Sequence, residues 1–175
     1  MPGLSRDVPP GRLYFQTMSK QDIIKLVSSI LICEASGIIG SLFTARAIPT
    51  WYATLNKPSF NPPNWIFAPV WTTLFVMMGV AAFLVWKQGL AQPGVKFALG
   101  MFLLQLLFNV LWSAMFFGLR SPLAGLIDIA ALWVTLAITI WLFFTLSTVA
   151  GILLLPYLAW GSFASVLNFA IWRLN

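Results

Sequence analysis

The sequence predicts an all-α membrane protein built as a bundle of five transmembrane helices, and three observations predict it. Hydrophobic residues fill 60% of the 175 positions and charged residues only 8%, with a mean hydropathy of +0.91, a balance no water-facing surface could carry. Five apolar stretches each reach the roughly 20 residues that cross a bilayer as helix. The short stretches between them hold glycine, proline and polar residues, so neighbouring helices should run antiparallel.

The spans fall at about residues 23–44, 65–88, 96–117, 122–146 and 149–172. Gly89, Pro93 and Gly94 mark the turn after the second, Arg120 the one after the third, and Ser147 with Thr148 the last. Only the connection at 45–64 is long, and a long ordered connection is more often functional than idle. It opens the run WYATLNKPSFNPPNWIFAPVW, in which Pro58, Pro62 and Pro63 fix φ and remove N–H donors, so residues 57–64 should be extended and semi-rigid. Trp51, Tyr52, Phe60 and Trp65 suit the membrane–water boundary, so composition alone allows either a stiff aromatic belt or a functional lid. Pro69 and Pro156 read as lying near helix ends, which leaves no discontinuous helix expected at mid-membrane.

Residues 1–17 are polar and proline-rich and end in a Leu-Tyr-Phe-Gln run resembling a tag-removal protease site. They read as a tag remnant, with Met18 the native start of one domain, 18–175. Discounting Arg6, Arg12 and Asp7 moves the formal charge only from +6 to +5. The basic residues are scattered singly at helix ends, which gives no patch for nucleic acid. Lys20, Lys25, Lys87 and Lys96 lie on one side of the membrane and Arg46, Lys57, Arg120 and Arg173 on the other, so positive charge sets no orientation.

The chemistry available is narrow. With no histidine and a single cysteine, Cys33, the chain has no usual general base, zinc ligand or haem ligand, and no metal site is expected. Its acidic residues are Asp7, Asp22, Glu34 and Asp128. Glu34, about eleven residues into the first span, is either a ligand or proton contact or a carboxyl hydrogen-bonded between helices; Asp128 reads as reaching the interface. Gln105, Asn109, Trp112 and Phe116 share one face of the third span, and Tyr157, Trp160 or Gly161, Ala164 and Asn168 one face of the fifth. Gly37, Gly40, Ser41 and Thr44 give the first span a small-residue face that admits another helix or a flat ligand. Helix packing explains the small residues; a pocket is the better account where tryptophan and asparagine converge.

Three ordered motifs carry a resemblance: W-Y-x-x-L-x-K-P-x-F-x-P-P-x-W-x-F-x-x-V-W in the lid, N-x-x-W-S-x-x-F-F-G in the third span and P-Y-L-A-W-x-x-F-A-x-x-L-N in the fifth. Together they are similar to the TspO/MBR family, the translocator proteins or peripheral-type benzodiazepine receptors. The resemblance implies a homodimer in the lipid bilayer, with a lid-capped pocket for protoporphyrin IX and for isoquinoline or benzodiazepine-type ligands, and no required cofactor. Carried over by motif, the ligand-binding residues are Trp51, Pro62, Trp71, Asn109, Trp112, Trp160, Ala164 and Asn168. The implied role is that of a tetrapyrrole sensor, scavenger or carrier. A light- and oxygen-dependent porphyrin-degrading enzyme, with Trp71 facing Trp160 as the redox pair, is the alternative; a porphyrin or sterol transporter ranks below both. Animal members carry a tyrosine before a basic residue in a sterol-recognition pattern, but this chain has Leu167, Phe169 and Arg173 there, which argues against sterol and for a microbial member.

Overall fold

The computed structural model describes residues 18–175, so the expected tag remnant lies outside the described residues. The first helix, α1 (Lys20–Ala47), starts three residues earlier than predicted because Ser19 and Asp22 form a reciprocal capping box, with Asp22 N–H donating to Ser19 Oγ at 3.1 Å. The chain then makes one helical turn, α2 (Trp51–Thr54), inside what the sequence suggested was all loop. Residues 57–63 are irregular, as their prolines require, but Asn64 already belongs to a 3₁₀ turn (Asn64–Ile66) that feeds α3 (Phe67–Trp86). Pro69 sits in the first turn of α3, where its missing N–H costs nothing.

Gly94, at φ 85°, turns the chain into α4 (Val95–Ser113), which ends in a π-helical turn, Ala114–Gly118, closed by Leu119 N–H on the carbonyl of Ala114 at 2.8 Å. Arg120, at φ 54°, completes the tight link to α5 (Pro122–Leu146), which Ser121 caps and Pro122 opens. Ser147 alone joins α5 to α6 (Thr148–Leu174): it accepts from Ala150 N–H as the cap of the second helix. Pro156 lies well inside α6, not near its end, so this helix loses one internal hydrogen bond about a third of the way along.

Among the described residues, five helices are long and apolar enough to cross a membrane, and Ile24, Leu31, Leu42, Trp141 and Ile152 point outward among many exposed apolar side chains. The chain is an integral multi-pass membrane protein. Inside, α3, α4, α5 and α6 interlock around Met78, Val85, Leu136, Leu154 and the stacked pair Phe102–Phe143, whose centroids lie 5.7 Å apart. Helix α1 leans on α3 and α4 through small residues; a Cβ at Gly79 would stand 2.6 Å from Cα of Ile30, so only glycine permits that approach. Asp128 is buried, contrary to the expected reach for the interface, because its level on α5 is enclosed by α4 and α6.

The α1–α3 contact can be tested with two alanines. Gly79→Ala should cost about 1–3 kcal/mol through overpacking. Gly100→Ala, with open space around it, should be neutral or gain up to about 1 kcal/mol. Thermal melts of the two variants in detergent, compared with the parent, check the contrast.

Candidate functional site

Helices α1, α3, α4 and α6 enclose a cavity of ≈ 350 Å³. Its inner end is marked by Glu34, Phe75 and Asn109, and its mouth by Ile48, Tyr52, Asn64 and Phe117. Residues 55–63 join Tyr52 to Asn64, two residues of that mouth. Two aromatic stacks face the space: Trp71 on Phe75, with centroids 5.5 Å apart and planes at 28°, and Trp112 on Phe116, at 5.5 Å and 25°. The small face of α1, Gly37, Gly40, Ser41 and Thr44, closes the slot between them, so it admits both a neighbouring helix and open volume.

The polar groups hold the walls in place. Trp112 Nε1–H donates to Asn168 Oδ1 at 3.0 Å, and Asn168 Nδ2 donates to the carbonyl of Pro122 at 2.7 Å. Asn109 Nδ2 donates to the Tyr157 hydroxyl at 2.9 Å, and the Tyr157 ring meets Trp71 edge-on at 5.9 Å. Both asparagines therefore pack between helices and line the cavity at once. Each orients an indole, directly for Trp112 and through Tyr157 for Trp71.

The lid is tied down at two points. Tyr52 OH donates to Asn61 Oδ1 at 2.8 Å, and Lys57 Nζ lies 4.8 Å from the centre of the Tyr52 ring. Burial pushes the Tyr52 phenol up to about 12. Farther along, Asn56 and Asn175 exchange hydrogen bonds, N–H to Oδ1 at 2.9 Å and Nδ2 to O at 3.0 Å, and Asn56 Nδ2 adds one to the carbonyl of Leu174 at 3.3 Å.

Of the residues expected at the site, Trp71, Asn109, Trp112, Ala164 and Asn168 line the cavity. Trp51, Pro62 and Trp160 do not. Trp51 packs edge-on against Phe116 from behind, at 5.5 Å, and borders a separate depression with Arg120, Trp172 and Asn175. Pro62 stays in the lid, its carbonyl accepting from Asn61 Nδ2 at 3.1 Å. Trp160 stands one ring back, 5.9 Å from Phe67, which does line the cavity, and its buried indole N–H has no partner. Trp71 does not face Trp160: its ring neighbours are Phe75 and Tyr157, while those of Trp160 are Phe67 and Phe163.

Phe67 was legible as the residue four before Trp71, with Phe75 four after it, all on one helical face. Phe117 was not, because only the π turn swings it beside Phe116 to a centroid distance of 4.8 Å. Glu34 lines the inner end, and its Oε1 is buried without the interhelical hydrogen bond that sequence reasoning allowed. Gln105 lies below the cavity, fully buried, with neither amide atom partnered. Among the described residues, no cluster of His, Cys, Asp or Glu could hold a metal ion.

These features define an integral membrane protein whose helices enclose an aromatic cavity beneath a structured loop. The sequence profile described as the TspO/MBR family matches residues 29–173, and the chain belongs to that family. It is 49% identical over 158 residues to the tryptophan-rich protein TspO of Chlorobaculum tepidum, covering 90% of this chain and 99% of that protein. It is also 40% identical over 144 residues to the tryptophan-rich sensory protein of Cereibacter sphaeroides (82% of this chain, 86% of the other). The human translocator protein is 40% identical over 139 residues, with 78% and 82% covered.

Two measurements probe the frame of the site. Asn168→Ala removes the acceptor of Trp112 and the donor to Pro122, and should lower stability by about 1–3 kcal/mol in a detergent melt. For Tyr52 the sign follows from a folded-state value above the unfolded one. Its contribution to stability is complete below pH 10 and falls as pH rises from 10 towards about 12. Stability measured across that window should lose part of its slope in Tyr52→Phe.

Proposed function

We propose that this protein binds tetrapyrroles, protoporphyrin IX foremost, in the cavity under the lid, and acts as their sensor, scavenger or carrier in the membrane. The observation that carries the reading is the pair of stacks, Trp71–Phe75 and Trp112–Phe116, lining one slot whose α1 wall includes Gly37, Gly40 and Ser41. A flat apolar macrocycle finds aromatic rings to pack on and, opposite them, a stretch of α1 where Gly37, Gly40 and Ser41 leave room. The cavity falls within the roughly 300–1,000 Å³ common to ligand pockets. Isoquinoline and benzodiazepine-type ligands, smaller and also flat, suit the same slot.

The charges set the direction of binding. Among the described residues, no lysine or arginine lines the cavity, so the propionates of a porphyrin belong at the mouth, where water and headgroups solvate them. The name of the Cereibacter sphaeroides relative, tryptophan-rich sensory protein, supports the sensor variant of the reading. Light-driven oxidation of the bound porphyrin is the second reading. It is favoured by Trp71 at the cavity wall and Trp160 one ring behind it across Phe67, at 5.9 Å, both able to give an electron to an excited macrocycle.

Titration with protoporphyrin IX in the dark, followed at the Soret band, tests the reading. Binding should saturate, and Trp71→Ala combined with Trp112→Ala should weaken it at least about tenfold, which corresponds to about 1.4 kcal/mol. Affinity unchanged in that double variant would remove the cavity as the site. Illumination with oxygen then separates the two readings: a product that forms with the parent and not with Trp71→Phe marks an enzyme, and no product leaves a binder.

A further inference from the structure

Among the described residues, Glu34 is the one formally charged side chain that lines the cavity. It occupies the inner end. Along α1 the lining runs through Glu34, Gly37, Ile38, Ser41, Thr44 and Ile48, a single helical face about 21 Å long at 1.5 Å per residue, and Glu34 is the member farthest from the lid. On α3 the order is reversed, so Phe75, whose ring meets Gly37, lies deeper than Trp71. The carboxyl therefore sits beside the inner aromatic stack.

Its surroundings leave it unanswered. Oε1 of Glu34 is buried and has no hydrogen-bond partner. Three polar groups of the lining are engaged elsewhere: Ser41 Oγ donates to the carbonyl of Ile38 at 2.7 Å, Thr44 Oγ1 to that of Ser41 at 3.2 Å, and Asn109 Nδ2 to Tyr157. An acceptor buried at membrane depth with no donor is costly, and a ligand that brings a donor relieves that cost. A carboxyl that shares a cavity with Phe75 and, one turn nearer the lid, Trp71 is also a setting that attracts an organic cation on an aromatic body, through a charge-assisted hydrogen bond and through packing on the rings.

We propose that the inner end of the cavity is a subsite for a protonated amine carried on a flat apolar body, with Glu34 accepting the hydrogen bond of the ammonium and Phe75 and Trp71 packing the body behind it. The inference rests on the cavity being a ligand site, as the tetrapyrrole reading holds, but it concerns a different chemical class. An acidic ligand enters with its carboxylates outward; an amine enters head first, to the floor.

Three probes test it on the full chain in a non-ionic detergent: 1-pyrenemethylamine, 1-ethylpyrene, which has a methyl in place of the amino group, and protoporphyrin IX, each corrected for partition into empty micelles. The amine should bind at least about tenfold more tightly than its carbon analogue. In Glu34→Gln that ratio should fall to within about twofold, and Glu34→Asp should retain part of it. Equal affinity of the two pyrenes for the unaltered protein overturns the proposal without any variant, and so does a preference that survives Glu34→Gln. Porphyrin binding without amine preference sinks this proposal alone; no binding of any probe sinks it together with the tetrapyrrole reading.

Discussion

Asn168 uses both ends of its amide between helices, and the cavity depends on that use. Its oxygen accepts from Trp112 on α4, its nitrogen donates to the carbonyl of Pro122 at the start of α5, and its own backbone belongs to α6. Three helices are thus fixed at one level by two hydrogen bonds. In lipid the apolar surfaces of helices gain little by leaving tails that are equally apolar, so directed polar contacts and close packing carry more of the burden of holding a bundle. The amide can reach because Gly125 leaves room: a Cβ there would stand 2.9 Å from Asn168 Oδ1.

The same junction explains why the functional residues look structural. Asn109 and Asn168 were open to two accounts, interhelical bond or pocket, and each turns out to occupy both positions. An indole in a pocket wall must be held flat against the space it lines. The asparagines do this, one grasping Trp112 directly and the other holding Tyr157 against the edge of Trp71. Loss of either amide would let a ring turn, so the slot would change shape beyond the space that the asparagine itself gives up.

The span count and span positions were legible because hydropathy over a bilayer thickness is a strong signal, and five of the eight candidate site residues shared faces or motifs that do line the cavity. What escaped was of another kind. Pro156 looked close to a helix end, yet α6, packed against α5, continues on both sides of it. Trp160 and Trp51 sit in the right motifs but on the far side of Phe67 and Phe116, a difference of one ring that no spacing rule records. Phe117 entered the lining through a π turn, and Asp128 was enclosed by the order in which helices neighbour one another; both depend on tertiary arrangement.

The reciprocal amide exchange between Asn56 and Asn175 makes the roof part of the wall. Asn175 follows directly on the helix that carries Ala164 and Asn168, so the lid cannot lift at Asn56 while that helix end stays as it is. A molecule passing under the lid has three hydrogen bonds to break on the way in and the same three on the way out. Such a barrier slows arrival and departure alike and leaves affinity to the stacks and polar groups below. In that arrangement the clasp would bear on how long a molecule stays and not on how tightly it is held.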